Sequence, residues 1–247
     1  MERIDKVISR ELNIGRSEAK TLIKQGRVVL NGLPVKSFNG KLDEEKDSLS
    51  VDGREIIFRR FVYIMMNKPE GVISSTDGRR TAEKTVIDIL PEEMKRKNLF
   101  PAGRLDKNTT GFVLITDNGE FSHRILSPKN HVEKEYIALL DKPFGDGMIK
   151  AFKEGVIIGE DECLPAELAA VNGDRKTARV IIRQGMYHQI KRMFKKFSIE
   201  VIGLKRIRMG GLYLDAVLAP GACRYLDENE VKLIESDPFS PESDNIQ

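Results

Sequence analysis

In the stretch PAGRLDKNTTGFVLIT, Asp106 stands between Arg104 and Lys107, in a turn-rich loop just ahead of an apolar run fit for a buried strand. A carboxylate there is able to take a proton or to attack an electrophile, and loops anchored to rigid strands are where reactive side chains concentrate. The same residue also describes an ordinary aspartate on a surface turn, and nothing local separates the two. Asp117 follows a short way downstream, which raises paired-carboxylate hydrolysis, although the spacing fits no such site securely. Metal chemistry is not expected. Cys163 and Cys223 form no CxxC pair, and His123, His131 and His188 are scattered.

The elements that must carry these residues are legible from periodicity. Ile4, Val7, Ile8 and Leu12 recur at helical spacing, and Ala19, Leu22 and Ile23 do so after a break at Asn13 to Gly15. Gly26 ends the second helix, and RVVLNGLPV predicts a strand, a tight Asn31-Gly32 turn and a returning segment, with Asp52-Gly53 as another turn. We assign residues 1–58 to a first domain, with Arg59-Arg60 at the junction. A second domain, 61–235, opens with FVYIMMN, broken by Lys68-Pro69-Glu70-Gly71. Strands are predicted at 112–116, 135–140, 164–171, 178–184 and 204–214, and helices at 119–126, 146–154 and 187–197. Asp227 with Glu230 makes a capping box that opens a last helix. The fold class is α+β, and residues 236–247 form an acidic tail expected to be disordered.

The net charge of +3 over 247 residues hides an asymmetry. Residues 227–247 hold seven acids against Lys232 alone, a net of −6, so residues 1–226 carry +9. On the first two helices Arg3, Lys6 and Arg10, then Arg16, Lys20 and Lys24, fall on one stripe each. Basic heads at that pitch can follow a phosphate backbone, although a solvated outer face looks the same. No apolar run approaches the roughly 18 to 20 residues of a membrane span, and MERIDKVISREL lacks the apolar stretch of a secretory signal. A cytoplasmic protein with a polyanionic partner and no membrane is expected.

RIDKVISRELNIGRSEAKTLIKQGRVVLNG is similar to the RNA-binding module named after ribosomal protein S-four, over about residues 2 to 55. GRLDKNTTG resembles the signature of pseudouridine synthases of the RluA and RsuA types. The resemblance continues through NKP (67–69), KEY (134–136), YHQIKRMF (187–194) and LKRIRMGG (204–211), and covers residues 2 to 234. SHRILSP (122–128), YHQIKRMF and LDAVLAPGACRYL (214–226) resemble the RsuA type, whose substrate is small-subunit ribosomal RNA.

That resemblance implies a small α/β RNA-binding domain ahead of a catalytic domain on a mixed, mainly antiparallel sheet. It implies isomerisation of a uridine in 16S rRNA, naked or in a small-subunit assembly intermediate, by a monomer without cofactor or metal. A 23S target is the alternative, and a non-catalytic ribosome-assembly factor is the rival of another class. Asp106 then supplies the essential carboxylate, which attacks sugar or base or assists proton removal. Lys191 is its basic partner, Tyr136 stacks on the uracil and helps proton transfer, and Leu204 closes the pocket. Arg104 contacts phosphate or fills the space of an extruded nucleotide, and His188 and Arg192 join the helical stripes in binding RNA. Met186 departs from the family, which often has a basic residue there.

Overall fold

The computed structural model describes residues 1–77, 82–127 and 132–236. Pro128, His131 and the acidic tail beyond residue 236 lie outside these. The chain divides into two compact units, residues 1–61 with 91–99, and residues 62–90 with 100–247. Residues 91–99, read above as part of the second domain, thus group with the first.

In the first unit α1 (Ile4–Glu11) and α2 (Arg16–Lys24) turn Ile4, Val7, Ile8, Ala19, Leu22 and Ile23 inward. They share one core with Val28, Leu42, Leu49 and Val51. The sheet runs in the order Leu33–Pro34, Val28–Leu30, Leu49–Val51, Arg54–Glu55. Its two hairpins close through two-residue loops in which both residues have positive φ, Asn31-Gly32 and Asp52-Gly53. That backbone matches the twist of the flanking strands, and Asn, Asp and Gly tolerate it best.

The second unit is built on a nine-stranded sheet among the described residues. Its main path runs Glu167–Ala170, Thr177–Ile182, Lys134–Leu140, Val201–Met209, Thr109–Thr116, Tyr63–Lys68, Cys223–Tyr225. All these neighbours pair antiparallel except Val201–Met209 with Thr109–Thr116, which are parallel. With α3 (Gly119–Leu126), α4 (Asp146–Glu154), α5 (Gln189–Lys195) and α6 (Glu228–Glu235) the architecture is α+β. One face packs Met65, Phe112 and Leu114 against Phe121, Ile125, Met209 and Ile234. The parallel seam depends on Gly111, because a Cβ there would stand 2.1 Å from the Arg206 carbonyl oxygen. The expected capping box is present, since Asp227 accepts from the Glu230 amide while Glu230 accepts from the Asp227 amide.

Three expectations need correction. The strand predicted over 204–214 is a hairpin, Val201–Met209 returning as Leu212–Tyr213. Gly210, at φ +57°, turns the chain where a Cβ would lie 2.0 Å from the Ile234 carbonyl oxygen, so the strand gives way to let α6 dock. The helix predicted over 187–197 is Gln189–Lys195, because His188 takes a left-handed conformation (φ 49°, ψ 33°) that no α-helix continues through. The strand predicted over 164–171 shortens to Glu167–Ala170.

Candidate active site

The parallel seam delivers the Asp106 loop. Asp106 begins a turn closed by the Thr109 amide donating to its carbonyl at 3.0 Å, and the Leu105 amide donates to Ser74 Oγ at 3.1 Å. Beneath it lies Lys68 of the NKP segment, wholly buried. Its Nζ donates to the carbonyls of Pro69, Lys107 and Thr109 at 3.0, 3.1 and 2.9 Å, which uses all three ammonium donors. Burial pushes this ammonium down to about 8, against the opposing pull of Asp106 and Glu70. Lys68 thereby ties the end of its own strand to both sides of the loop and holds Asp106 outward.

The facing wall comes from α5 and the turn before it. Lys191 Nζ stands 3.3 Å from Asp106 Oδ2, and His188 Nε2 stands 3.4 Å from Oδ1. Both separations exceed the ~2.8 Å of a tight charge-assisted hydrogen bond, so the carboxylate is accompanied but not locked. Gln189, buried, fixes the turn by accepting from the Met186 amide at 3.2 Å and donating to Gln184 at 3.3 Å. The glutamine of YHQ is thus a bracket for the loop that carries His188. The left-handed backbone of His188, unusual for a residue with a Cβ, swings its ring toward Asp106.

The strands supply the floor. Tyr136 pairs in register with Arg206, and Leu204 sits opposite Ala138 and Thr109, so Tyr136, Leu204 and Arg206 share the face below Asp106. Tyr136 and Leu204 are buried and line the same small hollow as Asp106, Lys191 and His188. That hollow adjoins a cleft of about 940 Å³ lined by Arg104, Lys134, Tyr187 and Arg206 among others. Lys134 is pushed down to about 8 by burial, with the Arg206 charge adding to the effect. Arg206 donates from Nε to the Phe112 carbonyl at 2.7 Å, and its buried Nη2 has no hydrogen-bond partner among the described residues.

Of the residues singled out from sequence, Asp106, Tyr136, Lys191, Arg104, Leu204 and His188 come together here. Arg192 does not face the cleft. Its guanidinium donates to the Ile158 carbonyl at 2.9 Å, to the Tyr187 carbonyl at 3.5 Å and to Asp161 at 3.4 Å, bracing α5 and its turn. In the first unit the two basic stripes are largely answered by acids. Arg3 and Arg16 both bind the buried Asp5, Lys6 binds Glu2, and Arg10 binds Glu2, Glu11 and Glu44. Burial would raise the Asp5 carboxyl, yet the two guanidiniums hold it below its usual value. Sequence reasoning passed over Lys68, Lys134, Gln189 and Arg206, although NKP, KEY, YHQ and LKR each contain one of them.

A carboxylate at the mouth of a cleft, flanked by a lysine and an imidazole above a buried tyrosine, is suited to acting on a base drawn out of an RNA strand. The chain matches the family model described as RNA pseudouridylate synthase over residues 62–196, and the S4 domain model over residues 2–45. It belongs to the RNA pseudouridine synthase family, and its activity is isomerisation of uridine in RNA. Among its relatives is an uncharacterized RNA pseudouridine synthase of Bacillus subtilis, 40% identical over 94% of this chain and 98% of the relative. Another is the ribosomal small subunit pseudouridine synthase A of Escherichia coli, 40% identical over 93% of this chain and 98% of that protein. A crystal structure of a pseudouridylate synthase superposes with a TM-score of 0.66 at 34% identity, covering 95% of this chain and 100% of that one. No described helix is long and apolar enough to cross a membrane.

Proposed function

We propose that this enzyme converts one uridine of 16S ribosomal RNA to pseudouridine during small-subunit maturation in the cytoplasm, and that Asp106 is its essential carboxylate. The observation that carries the chemistry is the position of Asp106, presented by the Lys68-anchored loop between Lys191 and His188. The choice of RNA is supported by relatives named ribosomal small subunit pseudouridine synthase A in Escherichia coli and Vibrio cholerae, at 40% and 41% identity.

The reaction breaks the bond between N1 of uracil and C1′ of ribose, turns the base, and joins C5 to C1′. The proton leaving C5 is balanced by one gained at N1, so atoms and electrons close without an external acceptor. The ionised Asp106 starts it, by attack on sugar or base or by assisting proton removal from the sugar. Lys191 sets a positive charge 3.3 Å from that carboxylate. Tyr136 stacks on the uracil and lends its hydroxyl to the proton transfer, while Leu204 limits water around the detached base. Arg104, exposed at the rim, contacts phosphate or occupies the space the nucleotide leaves. The first unit adds affinity through phosphate contacts, and a monomer suffices for all of these roles.

The test is tritium release from 16S rRNA labelled at C5 of uridine, with wild type and Asp106→Asn compared. Release by the wild type alone is expected, and mapping then finds the product in 16S rather than 23S rRNA. Release at the wild-type rate by Asp106→Asn would remove Asp106 from its role, and a product only in 23S rRNA would overturn the choice of substrate.

A further inference from the structure

Tyr187 is the most exposed aromatic side chain among the described residues, at 72% of its full accessibility, and it lines the large cleft. A tyrosine left so open forgoes most of the burial its ring could contribute to a core, so its packing does not account for its place. Its ring is nevertheless held. It stacks on His188 with centroids 3.8 Å apart and planes at 19°. Consecutive residues of an extended chain point to opposite sides, whereas the left-handed backbone of His188 brings the two rings onto one side. Arg192 braces the Tyr187 carbonyl, and the Gln189 bracket fixes Met186 beside it. One face of the Tyr187 ring is covered by imidazole, and the rest of the ring is largely open to the cleft.

We propose that Tyr187 is a stacking platform for the nucleobase adjoining the target uridine in the RNA strand. This rests on the isomerase reading, which seats the target base over Tyr136 beside Asp106, so the ring at the rim meets a neighbour of that base. The rim also carries the exposed Arg104, together with Lys107 and Arg183, which are paired with Glu83 and Glu133, and an open aromatic ring beside a cation suits a strand of phosphates and flat bases. Because His188 lies between Tyr187 and Asp106, occupation of the platform steadies the imidazole 3.4 Å from the reacting carboxylate. The role is one of binding and positioning, and it tolerates any base, since every base has a stacking face.

The test uses the full chain and fluorescein-labelled single-stranded oligoribonucleotides holding one uridine among adenosines, with affinity read by anisotropy. A second set has an abasic residue in place of the 5′ or the 3′ neighbour of that uridine. Relative to wild type, Tyr187→Leu is expected to bind the intact RNA about five- to a hundredfold more weakly and Tyr187→Phe about as well. On one of the abasic RNAs wild type and Tyr187→Leu should converge. If Tyr187→Leu loses the same factor on all three RNAs, or loses nothing on any, the platform is refuted. A ring that merely pins His188 would give that result, with kcat lowered and no dependence on the neighbour. Absence of tritium release by the wild type would strike the isomerase reading, whereas the binding cycle needs no turnover and decides the platform separately.

Discussion

Two clusters of charge in the second unit use the same residue types to opposite ends. One is a ladder across three strands, in which Arg208 binds Glu135 at 2.8 Å and Glu133 at 3.1 Å. Arg179 and Arg183 close on the same two acids at 2.8 and 2.7 Å. Glu133, Glu135 and Arg208 are all but sealed from water. The other cluster is Asp106 with Lys191 and His188, part-exposed and spaced at 3.3 and 3.4 Å. In the ladder, burial would raise the Glu135 carboxyl, but hydrogen bonds from Arg179 and Arg208 hold it below its usual value. A buried carboxylate answered by short bonds is committed to structure, here the pairing of Lys134–Leu140 with Val201–Met209 beside a bulge at Glu135/Tyr136. A carboxylate whose lysine and imidazole neighbours stand back by about half an ångström from the length of a tight charge-assisted hydrogen bond retains room for a substrate atom. The ladder supports the register from which Tyr136 and Leu204 face the cleft, and the looser cluster is the one we propose for the chemistry.

The contrast is sharpest if the two clusters are broken in turn. Asp106→Asn should lower kcat for tritium release by about 10⁴-fold while the thermal midpoint stays within about 2 °C of wild type. A collapse of the midpoint would move Asp106 into the structural class. Arg208→Met takes the buried, shared cation from Glu133 and Glu135 and leaves each with one part-exposed arginine, which should cost about 3 kcal/mol in urea unfolding, with the folded fraction retaining activity within about threefold. If it unfolds no more easily than wild type, the ladder is not structural. Lys191→Met should lower kcat about ten- to a hundredfold, the rate equivalent of a charge-assisted hydrogen bond of about 1.5–3 kcal/mol. Lys191→Arg should recover part of that. Equal losses in the two variants would show that geometry, more than charge, matters at this position.

Protons offer a gentler probe. Lys68 and Lys134 are pushed down to about 8 by burial, below the roughly 10.5 of an unfolded lysine. Between those values the unfolded chain binds more protons than the folded one, so these two groups make stability rise with pH across that window. Urea midpoints should accordingly be higher at about pH 9.5 than at about pH 7.5, with a smaller gain in Lys134→Met. An unchanged gain in that variant would mean that Lys134 is not the group titrating.

Much of this site was legible because its residues sit in short contiguous strings. Asp106 in GRLD, Tyr136 in KEY and Lys191 in YHQIK carry their neighbours with them, and helical periodicity marked α1 and α2 without help. What stayed hidden depends on tertiary packing. A lysine in NKP gives no sign that its ammonium will cap three carbonyls, because two of these lie across the sheet on the Asp106 loop. Gly210 reads as part of a strand until α6 is docked against it, and His188 reads as helical until Asp106 claims its ring. The acids that answer part of the basic stripes were hidden in the same way. Sequence spacing placed Arg10 correctly on a helix face, but Glu44, which takes up its charge, comes from a segment far along the chain.

The cations of the first unit therefore differ in what RNA can still reach. Arg10 is mostly covered and bound by three carboxylates, whereas Lys24 is exposed and Lys20 lies 4.9 Å over the Phe38 ring with no carboxylate within ion-pair distance among the described residues. A charge already answered by acids releases few counterions when a phosphate approaches, so it contributes little to the salt dependence of binding. Replacing Lys20 and Lys24 together by alanine should therefore flatten the plot of log affinity against log salt by up to about two units, about one for each phosphate no longer neutralised. Affinity at moderate salt should fall only severalfold. Arg10→Met should lower the unfolding midpoint, because it takes the shared cation from Glu2, Glu11 and Glu44, yet keep the wild-type slope. If Arg10→Met flattens the slope as much as the double lysine replacement does, the carboxylates around it give way to RNA and the ion pairs are a resting arrangement of a phosphate site.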